Sequence, residues 1–479
     1  MNKNNKNLPI VVDLDGTLIF SDVLIESAIS CFKSSLYKFL KSIFLLFTKG
    51  KAAFKEMISI NSDINIKTLP YNKELIEWLI NQKENGRHIV LCTGSNHLYA
   101  KKIANHLGIF DQVIASNNTQ NLVGVKKADF LSNKFGKKGF DYIGNSKKDI
   151  PVWNVSKNII LANCSSALTK KMNSIKAPEL IFSSERIGIF TILGALRIHQ
   201  WIKNLLLFTP LIASHMIFDI DAFKNIFIAF FAFSGCASAI YVLNDLLDLD
   251  NDREHPRKKD RPFASGKLPI YFGFVIMPIL IISSTLIGFS LGSMFMSCLV
   301  SYLILTTLYS FVLKPIILVD VITLAILYTI RIIAGGAAIS MLPISPWLLA
   351  FSVLLFLSLA IIKRYAELEM QVVESSVKIK GRGYYTSDAS LIQSIGVASS
   401  FGSVLVFILY LNSPEVIDLY NSPDLIWFCI PILIYWQSWM WLNAHRGQMH
   451  DDPITFSIKD KPSLISGALF ILTIFLAAL

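Results

Sequence analysis

The sequence predicts a chain of two parts: an N-terminal α/β domain in residues 1–185 and an all-α, polytopic membrane domain in residues 186–479. Apolar residues make up 53% of the 479 residues, and the mean hydropathy of +0.51 is too high for an ordinary soluble enzyme. The apolar residues are also unevenly distributed. Residues 1–185 alternate short apolar and polar runs, whereas residues 187–479 form a series of long apolar stretches.

Four short apolar runs in the N-terminal part predict buried strands, and polar residues follow them closely. Asp13 and Asp15 end the first strand, Thr93 ends the second, and Asp149 follows the fourth. Helical segments lie between the runs, and this alternation predicts a parallel sheet with helices on both faces. Functional groups gather at the carboxyl ends of such strands. The runs are VVDLDGTL (11–18), HIVLCTGS (88–95), QVIAS (112–116) and FDYIGNSKKD (140–149).

Residues 22–70 form an insertion between the first two strands that is rich in Phe, Leu, Ile and Lys. Its apolar run from Phe39 to Phe47 is too short to span a bilayer. Because lysines interrupt the insertion, part of it is a candidate for lying on a membrane surface. The alternative is a helical subdomain that packs on its own core.

The order of the polar motifs resembles that of the haloacid dehalogenase superfamily of phosphohydrolases. The motifs are Asp-x-Asp-Gly-Thr, Thr-Gly-Ser, Lys and Gly-Asn-Ser-x-x-Asp, and the resemblance covers most of residues 8–165. It implies a Rossmannoid α/β fold in which residues 22–70 are a helical cap that covers the site and selects the substrate.

The resemblance also implies a role for five residues. Asp13 would be the nucleophile that forms an aspartyl-phosphate, and Asp15 would be the general acid–base. Thr93 and Lys127 would hold the phosphoryl oxygens. Asp149 would bind Mg²⁺ together with Asp13.

The choice of lysine and the residue at position 145 bear on what this resemblance implies. Lys127 is preferred to Lys126 because the family often has Ala after the lysine and Leu three residues further on, as in Ala128 and Leu131. Asn145 stands where the family often has an aspartate, so the predicted metal site carries less negative charge. A degenerate domain kept for docking or regulation is the alternative to an active phosphatase.

Nine apolar stretches in the second part are candidate membrane spans. The first is interrupted by Arg197, His199, Gln200 and Lys203, and each of the others is close to the length that a helix needs to cross. Lys and Arg occur in the loops at 245–268, 364–390 and 444–462, while the alternate loops carry none. This pattern places the basic loops and the N-terminal domain on the cytoplasmic side of the inner membrane. It also explains the net charge of +11 without nucleic acid. The predicted spans are 187–216, 222–244, 269–290, 293–313, 316–338, 346–363, 391–411, 425–443 and 463–479.

The stretch NDLLDLDNDREHPRKKDRPFASGK (244–267) follows the second of these spans. Asp245, Asp248 and Asp252 are spaced i, i+3 and i+7, which puts three carboxylates on one face of a helix. Clustered carboxylates suit Mg²⁺ shared with substrate phosphates, and a basic loop suits the phosphates themselves. The stretch therefore predicts a site for a phosphorylated substrate beside a bilayer. Its basic residues are Arg253, His255, Arg257, Lys258, Lys259, Arg261 and Lys267.

Further polar residues lie in the spans or at their cytoplasmic ends, where they are costly and point to function. For Asp320 and Arg331 the alternative is a structural ion pair, and for each of the others it is anchoring at the membrane interface. Their convergence on one side favours a site. The set is Lys203, Tyr309, Lys314, Asp320, Arg331, Lys363, Arg364, Glu367 and the segment HRGQMHDDP (445–453).

The motif Asn-Asp-x-x-Asp-x-x-x-Asp in a chain of about nine spans resembles the UbiA-type prenyltransferase superfamily. It is formed here by Asn244, Asp245, Asp248 and Asp252. The superfamily's second acidic motif is not clearly kept. The decaprenyl-phosphate phosphoribosyltransferase branch is the most similar, over roughly residues 190–479. The segments that carry this resemblance are LRIHQWIKN (196–204), DREHPRKKDRPFASG (252–266), YSFVLK (309–314) and DVITLAILYTIRIIAGGAA (320–338).

This resemblance implies transfer of ribose 5-phosphate from phosphoribosyl pyrophosphate to a polyprenyl phosphate. Mg²⁺ on the three aspartates would stabilise the leaving pyrophosphate. Lys259, Arg261 and Lys314 would bind the phosphates of the donor, and Lys203 and Arg364 would bind the lipid phosphate. The fused phosphatase-like domain would then remove the 5-phosphate from the product.

Two other classes of function are compatible with the sequence. One is an ordinary prenyltransferase that joins a prenyl diphosphate to an aromatic or other acceptor, with a regulatory or inactive phosphatase-like domain. The other is a transporter or a scaffold without enzymatic activity, which the carboxylate cluster disfavours. A homo-oligomer is compatible with either.

Overall fold

A computed structural model describes residues 8–117, 120–183, 187–340, 344–369, 382–417, 420–449 and 452–478. The chain divides into two compact units. The first unit comprises Met1–Leu196 and Tyr241–Ile276, and the second comprises Arg197–Ile240 and Met277–Leu479. The predicted N-terminal domain and the Asp-rich segment therefore belong to the same unit.

The first unit contains a six-stranded parallel sheet with the strand order β3-β2-β1-β4-β5-β6. The chain builds outward from β1 in one direction and then returns to its other side with β4. The gap between the carboxyl ends of β1 and β4 is therefore the place where a ligand site is expected. The strands are β1 Ile10–Val12, β2 Ile89–Asn96, β3 Gln112–Ser116, β4 Asp141–Gly144, β5 Ile159–Ala162 and β6 Leu180–Phe182.

Apolar cores cover both faces of this sheet, as expected for buried parallel strands. Successive residues of β1 point to opposite faces: Ile10 and Val12 belong to one core, and Val11 belongs to the other. This arrangement confirms the predicted α/β fold. The helices of the first unit are α1 Val23–Ser34, α2 Leu36–Ile60, α3 Lys73–Glu84, α4 His97–Leu107, α5 Val125–Phe135, α6 Ile150–Val155, α7 Ser166–Ile175, α8 Ile189–Ala195 and α11 Leu249–Glu254.

The insertion is helical, as predicted, and consists mainly of α1 and α2. Asp22 caps α1 by accepting hydrogen bonds from the backbone N–H groups of Leu24 and Ile25. The Ser35 side chain caps α2. One face of α2 is apolar and exposed, and we refer to it as the α2 stripe: Leu36, Leu40, Phe44 and Phe47 are 56%, 55%, 65% and 82% exposed.

The second unit is helical, and two helices, α10 Ile220–Leu247 and α12 Ile270–Phe289, belong partly to each unit. Among the described residues, eight helical segments are long and apolar enough to cross a membrane: Ile220–Leu247, Ile270–Phe289, Ser293–Leu313, Val319–Ala338, Pro346–Glu369, Thr386–Leu411, Pro423–His445 and Lys461–Ala478. The chain is thus a multi-pass membrane protein. The remaining helices are α9 Thr209–Ala213, α13 Ser293–Leu308, α14 Val319–Ala338, α15 Pro346–Glu369, α16 Ala389–Leu411, α17 Pro414–Ile417, α18 Cys429–His445, α19 Pro453–Lys459 and α20 Lys461–Ala478.

The first of the nine predicted spans, 187–216, is not one continuous helix, so eight of the predicted stretches are helices long enough to span a membrane in the described part of the chain. Helix α8 ends at Ala195, a 3₁₀ segment follows at Ile198–Phe208, and α9 is a single short turn. Arg197 adopts a left-handed backbone conformation with φ of 50°, which a helix cannot continue through. The polar residues around Arg197 are the physical reason that the apolar pattern does not produce a spanning helix here.

Helix α14 is the most buried of the eight spans. Gly335 lets it approach the 3₁₀ segment Ile198–Phe208 closely, because a side chain at this position would collide with the carbonyl of Leu207. The polar residues of α14 are therefore held inside the second unit.

Candidate functional site

The first unit brings together the residues predicted for a phosphatase site. Asp13 follows β1 directly, and the Nζ of Lys127 on α5 lies 2.8 Å from the Asp13 Oδ1 atom. Both side chains are buried. Lys126 is exposed, so the structure places Lys127 at the carboxylate, as the motif spacing predicted.

The two aspartates of this site have unusual protonation equilibria. Burial raises the pKa of Asp13 to about 6 although the Lys127 ammonium lowers it, and the charge of Asp149 adds to the rise. Burial also raises the pKa of Asp15 to about 7, with a further contribution from Asp22. A general acid–base works best when its pKa is near the working pH, so Asp15 has the character that its predicted role requires.

Asp149 is held rigidly next to this pair. Its Oδ2 accepts hydrogen bonds from the backbone N–H groups of Asn145 at 3.1 Å and Ser146 at 3.0 Å, and its Oδ1 accepts one from the Tyr142 hydroxyl at 2.8 Å. Two buried carboxylates, Asp13 and Asp149, thus face one ammonium. This excess of negative charge fits a bound cation such as Mg²⁺, whose preferred ligands are carboxylate oxygens.

The second strand contributes a residue that the sequence analysis missed. The Ser95 hydroxyl donates to the Asp15 Oδ2, and its backbone N–H donates to the Thr93 hydroxyl at 2.9 Å. Thr93 is fully buried, and its predicted contact with a phosphoryl group stays a prediction. Ser95 belonged to the quoted Thr-Gly-Ser motif, but nothing in its spacing distinguished it from Thr93.

Asn145 lies against the loop that carries the two aspartates. Gly16 has a positive φ of 72°, and a Cβ there would collide with the Asn145 amide. Glycine at this position is therefore required by both the backbone and the close approach. Asn145 thus lies against the loop that carries Asp13 and Asp15, and its predicted effect on the charge of the metal site stays a prediction.

The Asp-rich segment also lies in the first unit. Arg261 Nη1 lies 3.1 Å from the Asp245 Oδ1 and 2.5 Å from the Asp252 Oδ2. Asp245 and Asp252 are buried. Two of the three predicted carboxylates therefore converge on one cationic group, the Arg261 guanidinium.

Asp248 departs from the other two carboxylates. It stands at the break between α10 and α11, with φ of −100° and ψ of 16°, and its carboxylate lies 3.8 Å from Lys33 of α1. Within the described part of the chain, no group of three or more His, Cys, Asp and Glu side chains is arranged to hold a metal ion. The shared Mg²⁺ role of the three aspartates stays a prediction.

Arg253 makes an ion pair that the sequence analysis did not foresee. Its two terminal nitrogens lie 2.8 and 2.6 Å from the carboxylate oxygens of Glu26 on α1, and its Nε donates to the Ala264 carbonyl at 3.0 Å. Both charged side chains are buried. Nothing local marks this pair, because 227 residues separate its members.

The other predicted residues of this segment are more accessible. His255 and Lys259 are exposed, and the His255 Nδ1 accepts hydrogen bonds from the backbone N–H groups of Arg257 and Lys258. The Asn244 carbonyl accepts from the Asp248 N–H at 2.9 Å. His255 and Lys259 thus reach the surface of the first unit.

In the second unit, Asp320 is the centre of a buried polar cluster. It accepts a hydrogen bond from the Tyr384 hydroxyl at 2.6 Å and lies 2.7 Å from the Arg364 guanidinium. Arg364 also pairs with Glu367, and Arg382 lies 3.8 Å from Asp320. Tyr384 and Arg382 lie in the basic loop at 364–390, but they were not predicted as partners of Asp320, because 64 residues separate Tyr384 from Asp320 and no local pattern connects them.

Arg382 links this cluster to the end of the π-helical turn Tyr309–Leu313. Its Nη1 donates to the Tyr309 hydroxyl at 3.2 Å and to the Lys314 carbonyl at 3.4 Å. Tyr309 and Lys314 are thereby brought beside the Asp320 cluster, in agreement with their predicted convergence.

A second cluster joins Lys203 and Lys363, whose Nζ atoms lie 2.9 and 3.2 Å from the Asp452 carboxylate. Although burial raises it, the two ammonium groups hold the pKa of Asp452 well below its usual range. Asp452 lies in the quoted HRGQMHDDP segment, but its partners could not be read from that segment.

Arg331 has partners of its own. Its Nε donates to the Asn204 side chain at 2.9 Å and its Nη2 to the Tyr302 hydroxyl at 3.1 Å. The guanidinium also stacks over the rings of Tyr302 and Tyr328. These contacts explain how a charge is tolerated in this span.

Comparison with known families identifies both halves of the chain. A profile described as the UbiA prenyltransferase family matches residues 206–456, which is more than half of the chain. The chain belongs to the UbiA prenyltransferase family. A second profile, described as haloacid dehalogenase-like hydrolase, matches residues 10–153. Both predicted resemblances are therefore confirmed.

Three relatives show how far this UbiA-family protein resembles others. The protein y4nM of Sinorhizobium fredii is 34% identical over 467 residues, covering 97% of this chain and 90% of that protein. Nodulation protein NoeC of Azorhizobium caulinodans is 34% identical over 286 residues, covering 58% and 91%. A decaprenyl-phosphate phosphoribosyltransferase of Mycobacterium tuberculosis is 34% identical over 200 residues, covering 41% and 66%.

The UbiA membership and the hydrolase-like domain make the chain a membrane enzyme of the transferase type. In this UbiA-family protein, Lys363, Arg364 and Glu367 stand at the positions where the family's second acidic motif is expected. The structure shows that Arg364 is fully buried between Asp320 and Glu367, whereas Lys363 is partly exposed.

Proposed function

We propose that this UbiA-family protein transfers the 5-phosphoribosyl group of phosphoribosyl pyrophosphate to a polyprenyl phosphate. The observation that carries the proposal is the convergence of two buried carboxylates, Asp245 and Asp252, on one cationic group at the start of a basic loop. Such a site suits a donor that carries several phosphates. Relatives named decaprenyl-phosphate phosphoribosyltransferase, 31–36% identical, support the choice of substrates.

The proposed reaction is a displacement at C1 of the ribose. An oxygen of the lipid phosphate forms a bond to C1 while the bond from C1 to the pyrophosphate oxygen breaks, and the electron pair leaves with the pyrophosphate. Mg²⁺, when bound, neutralises charge on this leaving group. Asp245, Asp248 and Asp252 would hold the ion, with Asn244 in the same motif.

Arg261 would change partners in this reaction. Its side chain is 28% exposed, so it can turn from the two carboxylates towards the donor when a metal ion neutralises them. His255 and Lys259, which are exposed, would supply further positive charge for the phosphates. Arg253 is buried in its ion pair with Glu26, so we assign it to positioning this loop.

The lipid phosphate would be bound in the second unit by Lys203 and Lys363. These two ammonium groups meet at the Asp452 carboxylate, so two cationic side chains from distant parts of the chain lie at one point of the second unit. Arg364 is buried in its ion pairs, so we assign it to positioning Lys363. The remaining predicted residues, Tyr309, Lys314, Asp320, Arg331 and Glu367, would shape the same region.

We propose that the N-terminal domain then removes the 5-phosphate of the product. The Asp13 carboxylate attacks phosphorus, and the bond between phosphorus and the ribose oxygen breaks while Asp15 gives that oxygen a proton. Asp15 next takes a proton from water, which attacks the aspartyl-phosphate and releases inorganic phosphate. Thr93 and Lys127 would hold the phosphoryl oxygens, and Asp149 would complete the Mg²⁺ site with Asp13. Both sites would face the cytoplasm, as the loop charges indicate.

The test is mass spectrometry of the lipid made by purified protein from phosphoribosyl pyrophosphate, polyprenyl phosphate and Mg²⁺. We expect polyprenyl-phosphoryl ribose from the wild type and a lipid one phosphate heavier from Asp13→Asn. Asp245→Asn should form neither lipid. Asp260→Asn, which removes the same charge from an exposed position of the same loop, should behave as the wild type.

Two outcomes would contradict the proposal. If the wild type and Asp13→Asn accumulate the same phosphorylated lipid, the phosphatase step is wrong. If no pentose-bearing lipid forms but a prenyl diphosphate is joined to a soluble acceptor, the protein is an ordinary prenyltransferase.

A further inference from the structure

A large cavity in the first unit contains the phosphatase-like residues. Its volume is about 1620 Å³, and its lining includes Asp13, Asp15 and Lys127. Part of its lining comes from beyond the α/β domain. Residues of the segment 265–271, which connects the basic loop to helix α12, also form its surface.

The segment 265–271 is built closely against the base of the cap. Gly266 has a φ of 76°, and a Cβ there would lie 2.6 Å from the Phe20 Cβ and 3.0 Å from the Pro70 Cβ. Phe20 lies two residues before the insertion 22–70 and Pro70 is its last residue, so they mark where the chain enters and leaves the cap. The segment therefore forms a fixed part of the cavity.

The same segment leads directly into a membrane span. Pro269, Ile270 and Tyr271 line the cavity, and Ile270 is the first residue of α12, an apolar helix long enough to cross a bilayer. Tyr271 is 60% exposed. The lining of the cavity thus includes the first residues of a candidate membrane span.

The α2 stripe is a second, independent feature that points to lipid. Four large apolar side chains, Leu36, Leu40, Phe44 and Phe47, recur every three or four residues on the cap helix and are exposed to solvent. Leu46 of the same helical segment, and Phe54 beyond its kink at Gly50, line the cavity. A cap helix that exposes an apolar face suits contact with a bilayer surface.

The chemistry of the lining matches an amphiphilic phosphate. Lys51, Lys55, Lys148, Lys170 and Lys267 supply positive charge, and apolar residues lie among them. Lys55 is positioned inside the site, where its Nζ donates to the Gly94 carbonyl at 2.6 Å. A small soluble phosphomonoester would not need a cavity of this size or its apolar part.

We propose that the cavity is a binding site for bilayer-anchored phosphomonoesters and that Lys267 and Tyr271, from the membrane half of the sequence, select them. Lys267 would bind the anionic head group, and Tyr271 would contact the first part of the lipid tail. The selection of lipid over soluble substrates rests on the phosphatase activity proposed above. The binding site itself does not.

The test compares two phosphomonoesters of glycerol that differ in their acyl chains. Full-length protein in nanodiscs is given phosphatidic acid or glycerol 3-phosphate, and phosphate release is measured. We expect the ratio of the kcat/KM values, lipid over soluble, to fall about tenfold in Lys267→Ala and in Tyr271→Ala. Lys171→Ala, an exposed lysine of α7 outside the cavity lining, should keep the wild-type ratio.

Binding is measured separately with the Asp13→Asn protein and short-chain phosphatidic acid, by calorimetry in detergent. We expect Lys267→Ala in this background to weaken binding about tenfold. If hydrolysis occurs but neither substitution changes the ratio, the inference is wrong and the phosphatase proposal stands. If no substrate is hydrolysed but the lipid phosphate binds in a Lys267-dependent way, the phosphatase proposal fails and the binding site stands. If Lys267→Ala does not weaken binding, the site is wrong.

Discussion

Lys127 and Lys126 are adjacent lysines in opposite environments, and they form a matched pair for mutagenesis. Lys127 is buried against Asp13 at 2.8 Å, whereas Lys126 faces solvent. We expect Lys127→Ala to lower phosphate release at least about 100-fold, because Asp13 loses the charge that keeps it ionised and the phosphoryl group loses a donor. Lys126→Ala should keep wild-type rates. Equal losses in the two variants would show that the buried ammonium has no special role.

The ion pairs of Asp452 are expected to make the stability of the protein depend on pH. Its folded-state pKa is depressed by Lys203 and Lys363 despite burial, so the ion pairs stabilise the protein above the unfolded-state pKa of about 3.9. We expect the free energy of unfolding of Asp452→Asn to be about 3 kcal/mol lower than that of the wild type near neutral pH. Below about pH 4 this difference should shrink by about 1.4 kcal/mol per pH unit as the unfolded wild type takes up a proton.

The measurement is thermal unfolding in detergent across this pH range. Asp424→Asn, which removes an exposed carboxylate, serves as the control for a change in net charge. A difference between wild type and Asp452→Asn that is independent of pH would show that the ion pairs do not carry the effect.

Residues were predictable where chemistry coincides with a local pattern. Asp13 and Asp149 follow strands, and Lys127 lies in the first turn of a helix. The residues next to them in the sequence were therefore enough to predict that they belong to a site. Glu26 and Asp452 could not be predicted, since their partners lie 227 and 249 residues away. Such contacts are created by tertiary packing, on which local periodicity carries no information.

At the scale of elements, the ion pair between Glu26 and Arg253 connects α1 of the cap to α11 of the Asp-rich segment. Their side chains are only 3% and 4% exposed, and breaking a buried pair leaves an uncompensated charge. We expect Arg253→Gln to lower the free energy of unfolding by about 3–5 kcal/mol. The exposed Arg257→Gln should have little effect.

A double-mutant cycle measures this connection. Glu26→Gln with Arg253→Gln should be more stable than the sum of the two single losses predicts, because neither charge is then left unpaired. Strict additivity would mean that the two residues act independently.

Elements were predictable in proportion to their length and regularity. Eight apolar stretches became spanning helices, because a long apolar segment has few alternatives to a helix in a bilayer. The stretch 187–216 did not form one continuous helix, because Arg197 and its polar neighbours interrupt the apolar pattern. The break at Asp248 was also missed, since an i, i+3, i+7 spacing assumes a helix that continues without interruption.

For the whole molecule, we expect two sets of carboxylates to bind Mg²⁺ separately. A ligand that binds the folded state at 100 times its Kd stabilises it by about 2.7 kcal/mol. Mg²⁺ should therefore raise the unfolding temperature of the purified protein, and EDTA should reverse this rise. Asp245→Asn and Asp13→Asn should each lose part of the effect, whereas Asp260→Asn should keep it. An unfolding temperature that does not respond to Mg²⁺ would exclude both sites.

The two-part architecture was predictable because composition changes sharply near residue 186. The assignment of the Asp-rich segment to the same unit as the α/β domain was not. The apolar stretches on either side of the segment mark it as a membrane loop. Its partners on α1 and at the base of the cap are visible only in the folded chain.

The ion pair between Glu26 and Arg253 also restricts which N-terminal and C-terminal halves can be joined in one working chain. A shortened chain that begins after the α/β domain keeps Arg253 but loses the carboxylate that neutralises it, together with the packing of Gly266 against Phe20 and Pro70. Exchange of the N-terminal half between relatives is therefore expected to preserve folding only when positions 26 and 253 come from the same parent. Cutting this protein between its two halves is therefore expected to destabilise the Asp-rich segment of the membrane half, because Arg253 loses its partner there.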